Sequence, residues 1–244
     1  MFNDWSALAT APRFVSFDTE TTGLEPQKDQ LLEIGAVLIA NNIEIASLSL
    51  LIKPSIPIPN EASQVNGIYA EMVASAMNVT EAISCFEYFI SDYPLVGQNV
   101  GFDIGFIEAA LGYKLKNHAF CTAEIARSLL PKQQRYSLRA LCSLFGVENN
   151  QAHRALSDAR ATAEVALALI KHGQNPPPMY TFYCIDKDAY AKRETLKQLG
   201  FRWNPEDKRW FITISKDELV NARTNTPAKG LRIYGFSCEE LAGE

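Results

Sequence analysis

The run Arg13-Phe14-Val15-Ser16-Phe17-Asp18-Thr19-Glu20-Thr21-Thr22-Gly23 decides how the chain is read. Arg13 to Thr19 combines aromatic, β-branched and small residues and reads as a buried strand. Asp18 and Glu20 keep the two-residue period of that strand, so their side chains leave one face with backbones about 6.6 Å apart. Thr19 and Thr21 point the other way or edge on, and Gly23 permits a tight exit. Leu31 to Ile39 reads as a second strand, Asn41-Asn42 as a turn, and Ile43 to Ile52 as a third strand returning beside it. An antiparallel hairpin thus lies next to the strand that carries the two acids.

Further along, Thr80 is expected to cap a helix with Ile83, Phe86, Phe89 and Ile90 on one face. Leu95 to Gln98 is a short strand feeding Asn99-Val100-Gly101-Phe102-Asp103, which opens a helix that also carries Phe106 and Ile107. Ser137 caps another, with Leu138, Leu141 and Leu144 aligned and Gly146 closing it. His153-Arg154-Ala155-Leu156-Ser157-Asp158-Ala159 opens the last helix of the pattern, from about Arg154 to Lys171. Strands first, then strand and helices intermixed, define an α/β domain with a mixed sheet.

The three segments bring Asp18, Glu20, Asp103 and Asp158 into one domain with His153 five residues before the last acid. Four converging carboxylates repel and raise one another's pKa, so a site holding cations is the electrostatically consistent one. Oxygen ligands with no thiolate and at most one imidazole favour Mg2+ or Mn2+ over Zn2+. A loop imidazole can take a proton from water near neutral pH. Two cations with a base beside them are the equipment for hydrolysing a phosphodiester. Singly, each motif has an ordinary reading as a solvated strand, a helix cap or a surface histidine; their order and spacing together carry the chemistry.

In that order the segments resemble the three motifs of the DEDDh exonucleases, the family of the proofreading (epsilon) subunit of bacterial DNA polymerase III, over roughly residues 12 to 171. The resemblance implies a ribonuclease-H-like fold, a mixed sheet flanked by helices. It implies a 3'-5' exonuclease acting on single-stranded 3' ends, DNA favoured over RNA, with two cations on Asp18, Glu20, Asp103 and Asp158 and with His153 as general base. Thr21, Gly23 and Leu24 match positions that bind the terminal nucleotide, Leu24 wedging beside the last base, while Asn99 and Phe102 line the cleft. Two positions depart from the pattern: Asn66, in Val65-Asn66-Gly67-Ile68, and Gln98 stand where histidine is frequent. Both keep hydrogen-bonding capacity but cannot be cationic, which leaves the polymer preference open. An RNA-trimming exoribonuclease and a non-catalytic nucleic-acid-binding adaptor are the alternatives, the intact acids and His153 weighing against the adaptor. DNA replication or repair proteins are possible partners. Glu33 reads as a turn-proximal surface carboxylate rather than a support for the site.

Composition sets the frame. With 244 residues, 47% hydrophobic and 21% charged, the chain can bury a sizeable core. No apolar stretch approaches the roughly 18 residues of a membrane span, and Met1 to Pro12 lacks a basic start followed by an apolar run, so a cytoplasmic location is expected. Five cysteines without a C-x-x-C pair read as reduced, mostly buried thiols. The helical pattern ends in His172-Gly173-Gln174-Asn175-Pro176-Pro177-Pro178, which divides the chain into an exonuclease-like domain (1–173), a Pro-rich linker (174–179) and a small α+β accessory domain (180–244). Residues 1–179 carry 12 Lys/Arg against 18 Asp/Glu, and residues 180–244 carry 11 against 10, so -6 and +1 make the net -5. Such acidity is unusual in a nonspecific nucleic-acid binder, although the acidic site supplies part of it.

In the accessory domain, Asp188 to Leu199 reads as a helix stopped by Gly200, and Phe201-Arg202-Trp203 and Lys208-Arg209-Trp210-Phe211 as strands around a turn. Ser215-Lys216-Asp217-Glu218 matches a capping box, and Leu231 to Phe236 a final strand. This stretch resembles a small module appended to primases, topoisomerases and other DNA-processing proteins. Trp203 and Trp210 are expected in its core, with Arg202, Lys208 and Arg209 as candidates for contact with a single strand.

Overall fold

The structure, a computed structural model, describes residues 5–131, 133–174, 179–215, 219, 222–226 and 230–240. The chain divides into two compact units, Met1–Gln174 and Asn175–Glu244. The proline run and residues 216–218 of the expected capping box lie outside the described residues.

In the first unit, helix α1 (Trp5–Thr10) leads into β1 (Arg13–Thr21), which lies at the middle of a five-stranded sheet. On one side β2 (Leu31–Ala40) and then β3 (Ile43–Leu51) run antiparallel; on the other, β4 (Leu95–Gly97) and β5 (Ala119–Cys121) run parallel. Both residues of the β2–β3 turn, Asn41 and Asn42, have positive φ (51° and 65°), a backbone that asparagine tolerates. Helices α2 (Asn60–Asn66), α3 (Ala70–Val73), α4 (Val79–Ile90), α5 (Gly101–Leu111), α6 (Thr122–Leu129), α7 (Leu138–Phe145) and α8 (Ala155–Gln174) complete the unit. This is the mixed sheet flanked by helices that the resemblance implied.

β1 and β2 are buried almost throughout because helices cover both faces of the sheet. Odd-numbered residues of β1 face α4 and α5: Phe17 packs on Phe86 at 5.3 Å, within a cluster that holds Ile83, Ile90, Phe106 and Ile107. Even-numbered residues face α8: Phe14 joins Val165, Ala166 and Leu169, and the Ser16 hydroxyl donates to the Ala159 carbonyl at 2.8 Å. The strand's alternation therefore decides which helix each acid can meet.

Some boundaries differ from expectation. Asn78, not Thr80, caps α4: its side chain accepts from the Glu81 amide, and the Glu81 carboxylate accepts from the Asn78 amide. A reciprocal pair satisfies two otherwise unpaired amides, which Thr80 could not. Ser137 and Gly146 bound α7 as expected, but Leu144 is exposed while Leu141 and Cys142 are buried, since so short a helix turns only one stripe inward.

The described residues of the second unit form an antiparallel six-stranded sheet and a helix. β6 (Met179–Cys184) is followed by α9 (Arg193–Gln198), β7 (Arg202–Asn204), β8 (Arg209–Ser215), β9 (Arg223–Thr226), β10 (Gly230–Ile233) and β11 (Phe236–Glu240), in the spatial order β7-β8-β6-β11-β10-β9. The helix is shorter than the expected Asp188 to Leu199; Asp186 instead accepts from the Ser237 amide and the residues after it form turns. The expected strand over Leu231 to Phe236 is broken by a turn at Tyr234-Gly235, both at positive φ (48° and 84°). Trp210 is buried, whereas Trp203, expected in the core, is 42% exposed and meets Trp210 edge-on at 5.6 Å. Cys85 is exposed and the other four cysteines are buried.

The start of α8 lies directly on β2. A Cβ at Gly35 would fall inside the backbone of Ala155 and Leu156, so only glycine permits this approach. We expect Gly35→Ala to destabilise the unit by about 3 kcal/mol, read from urea unfolding. A loss below about 0.5 kcal/mol, the range of neutral surface changes, would mean that the helix does not rest there.

Candidate active site

Asp18 and Glu20 stand opposite Gly35 and Glu33 in the β1–β2 register, all on the face that receives α8. Asp158 is in the first turn of α8 and Asp103 in the first turn of α5. Asp103 belongs to the other side of the sheet and is tied in by Thr19, whose amide (2.9 Å) and hydroxyl (2.7 Å) both donate to its Oδ1. Asp158 accepts from the side-chain amide of Asn149 on Oδ1 and from the His153 backbone amide on Oδ2 (2.9 Å). Asn149 is itself held by the Ser157 hydroxyl at 2.8 Å. His153 is exposed, at φ 65°, and its ring can lie with the carboxylates of Glu20 and Asp158 so that all three ligand atoms are within 4.8 Å of one another.

The electrostatics identify one cluster. Burial, followed by repulsion from Asp103, Asp158, Glu20 and Glu33, holds the Asp18 carboxyl well above the usual range. Glu20 is pushed up to about 8, by burial first and then by Asp158, Glu33 and Asp103, with Arg154 pulling the other way. Burial raises Asp103 to about 7 against the opposing hydrogen bonds from Thr19. Groups so perturbed in a cleft are stabilised in their charged form by cations, and the donors here, carboxylate oxygens and one imidazole, suit a divalent ion.

Glu33 is 1% exposed and so is not the surface carboxylate expected. It accepts from Arg154 Nε (3.0 Å) and Nη2 (2.8 Å) and from the Ala155 amide (3.1 Å). Burial is tolerable because all these donors are cationic or sit at a helix start.

The residues expected to bind substrate divide into two groups. Leu24 is 81% exposed, Asn99 is exposed at φ 58°, and Phe102 is half-buried against Phe106 at 5.0 Å. Thr21 is buried, and its hydroxyl donates to the Gly23 carbonyl at 2.5 Å. Gly23 is needed by its own fold, since a Cβ there would overlap the Asp29 carboxylate, which accepts from the Glu25 amide at 2.9 Å. Asn66 is buried; its amide donates to the Thr21 carbonyl (3.3 Å) and its oxygen accepts from the Ile68 amide (2.9 Å). Within the fold it thus supports the Thr21 carbonyl. Gln98 also turns inward, donating to the Tyr136 carbonyl at 2.7 Å and accepting from the Thr122 hydroxyl at 2.5 Å.

A family model described as Exonuclease (RNase_T) matches residues 15–166. The chain belongs to this exonuclease family. It is 33% identical over 206 residues to the DNA polymerase III subunit epsilon of Treponema pallidum, covering 82% of this chain and 93% of that one. It is 35% identical over 161 residues to the PolC-type DNA polymerase III of Caldanaerobacter subterraneus, covering 65% of this chain but 12% of the polymerase. Against such polymerases the chain thus spans about an eighth of the relative. Among solved structures, Exonuclease X in complex with 5' overhanging duplex DNA superposes with a TM-score of 0.53 at 27% identity, covering 67% of this chain and 92% of that one. The class expected from the motifs, an exonuclease, is the class of the matched family.

The raised carboxyl groups give a pH signature. A carboxyl whose pKa rises on folding stabilises the fold below its ordinary value and loses that contribution as pH climbs through the folded value, for Glu20 from 4.5 to about 8. In chelator, the Tm of the protein should fall across that window, and saturating Mg2+ should remove the decline. A Tm that climbs over the same window in chelator would contradict the cluster.

Proposed function

We propose that the chain is a cation-dependent 3'-5' exonuclease that releases mononucleotides from single-stranded 3' ends, with DNA as its polymer. The convergence of Asp18, Glu20, Asp103 and Asp158 from two strand positions and two helix starts, with His153 beside them, is the observation that supports this reading. Two Mg2+ or Mn2+ ions held by these carboxylates would supply Lewis-acid activation of the attacking water and stabilise the leaving oxygen.

The chain's own groups do the rest. Thr19 and Asn149 fix the angles of Asp103 and Asp158, so that neither carboxylate has to reorganise when substrate arrives. The His153 imidazole, presented by a turn pinned to Asp158, takes the proton of the attacking water and returns it to solvent. Leu24 presents an exposed apolar side chain for the terminal base, and Asn99 and Phe102 border the same end of β1 and α5. The names of the relatives, DNA polymerases and their epsilon subunit, favour DNA over RNA and a replication or repair partner. Residues 180–244 act as an accessory domain in which Arg202, Lys208 and the exposed face of Trp203 add contact to longer strands.

The test uses end-labelled DNA and RNA of one sequence, with Mg2+, Mn2+ or chelator. Wild type should shorten DNA stepwise from the 3' end only with a cation, and Asp18→Ala, Glu20→Ala, Asp103→Ala and Asp158→Ala should each abolish this. His153→Ala should cost roughly a hundredfold to ten-thousandfold in kcat. Trp203→Ala should raise KM on long strands alone. Faster trimming of RNA would replace the DNA assignment, and full activity in any acid variant would remove that acid from the site.

A further inference from the structure

We propose that Glu33 and Arg154 are positioning residues that set the spacing between the two halves of the acidic cluster; this rests on the exonuclease reading. One half, Asp18 and Glu20, is fixed by β1. The other, His153 and Asp158, arrives with the start of α8, whose first helical hydrogen bond runs from the Asp158 amide to the Arg154 carbonyl at 3.0 Å. Two features on β2 that receive that helix start stand directly opposite the acids: Gly35, across from Asp18, leaves room for the backbone, and Glu33, across from Glu20, grips it. The grip is a two-pronged fork from Arg154 plus the Ala155 amide, three donors on one carboxylate. Such a fork fixes direction as well as distance, which a lysine could not do.

The pair also settles a charge conflict. Glu33 lies near Glu20 and Asp18 and would add a fifth negative charge to the cluster; Arg154 offsets it and lowers the proton affinity of Glu20. Two of the Arg154 nitrogens, Nε and Nη2, are thereby committed to Glu33.

Arg154→Lys, Glu33→Gln and the double variant decide the matter through Mn2+ calorimetry and oligonucleotide kinetics. Each single variant should weaken Mn2+ binding roughly tenfold and lower kcat roughly tenfold to a hundredfold, as loss of outer support for ligands does, with KM within about twofold. The double variant should be no worse than the poorer single one, because the two act as a unit. A raised KM in Arg154→Lys alone would mean that Arg154 meets the substrate, and a lowered Tm with unchanged Mn2+ affinity and kcat would leave the pair as ordinary scaffolding. If wild type fails to degrade any strand, the functional reading falls, and the Mn2+ arm still decides the positioning role.

A separate observation concerns the second unit, where we infer that Cys184 and Cys238 form a reversible disulfide. They stand directly opposite on antiparallel β6 and β11, both buried. The next pair is hydrogen-bonded, Ile185 amide to Ser237 carbonyl at 2.9 Å, so the cysteines occupy a non-hydrogen-bonded position, where α-carbons are about 4.5 Å apart. That spacing is within the span of a disulfide. The Cys238 thiol donates to the Phe236 carbonyl at 3.4 Å, and its proximity pulls the Cys184 thiol down to about 7. The β6–β11 seam joins the two halves of the sheet, β7-β8-β6 and β11-β10-β9, so a bridge here would lock the unit closed.

The oxidant class is a low-molecular-weight disulfide. The Cys184 sulfur displaces one of its thiols to form a mixed disulfide; the Cys238 sulfur then attacks the Cys184 sulfur and displaces the second. The two protein thiol protons end on the two released thiols. Full-length protein treated with oxidised glutathione should yield a linked Cys184–Cys238 peptide and raise the Tm of the second unit on the order of 10 °C, both reversed by dithiothreitol and both absent in Cys238→Ser. Glutathionylation of exposed Cys85 with Cys184 and Cys238 still free would overturn the assignment.

Discussion

Repulsion among carboxylates that share a buried cleft is the constraint on which the rest of the first unit depends. Glu20 and Asp103 are buried, Asp18 nearly so, and repulsion among these carboxylates raises the proton affinity of Asp18 and Glu20. A chain that could relax would separate them. β1 cannot, because it is hydrogen-bonded to β2 along its length and to β4 at its base, with Phe17 and Phe14 buried on opposite faces. The apolar core thus holds a polar cluster whose own energetics oppose assembly, and divalent ions bound to the folded form would turn that opposition into affinity.

The cluster is assembled from both faces of one sheet. The even-numbered acids of β1 meet α8 and its Asp158 directly, while Asp103 reaches over from α5, anchored by odd-numbered Thr19. Two helices on opposite sides therefore have to begin at the same end of the same strand. Gly35 makes this possible for α8 by presenting no side chain to its backbone, and Asn66 holds the exit of β1 through the Thr21 carbonyl.

Much of this was legible in the sequence because strands and helix starts impose short-range periods. The Asp-x-Glu spacing, the Asn41-Asn42 turn, the Ser137 and Gly146 caps and the acids at two helix starts all follow from local rules. What escaped was long-range. Nothing in the neighbourhood of Glu33 says that Arg154, far along the chain, will cover it, and alternation alone sent Thr19 away from the site although it points at Asp103. Asn149 sits in an aperiodic loop and Asn66 near a helix end, so their side chains acquire roles only once the tertiary fold brings Asp158 and Thr21 to them. In the second unit the six strands are short, and turns at Asp186 to Lys192 and at Tyr234-Gly235 replaced continuous elements because the sheet's own pairing outweighed local propensity.

The central claim, that Asp18, Glu20, Asp103 and Asp158 form one cation-binding frame, is tested most directly by locating the ions. Crystals grown with Mn2+ and measured at its absorption edge should show anomalous peaks among the carboxylates of Asp18, Glu20, Asp103 and Asp158, and no such peaks in Asp18→Ala crystals. Peaks confined to other surface carboxylates, or unchanged in the variant, would contradict it.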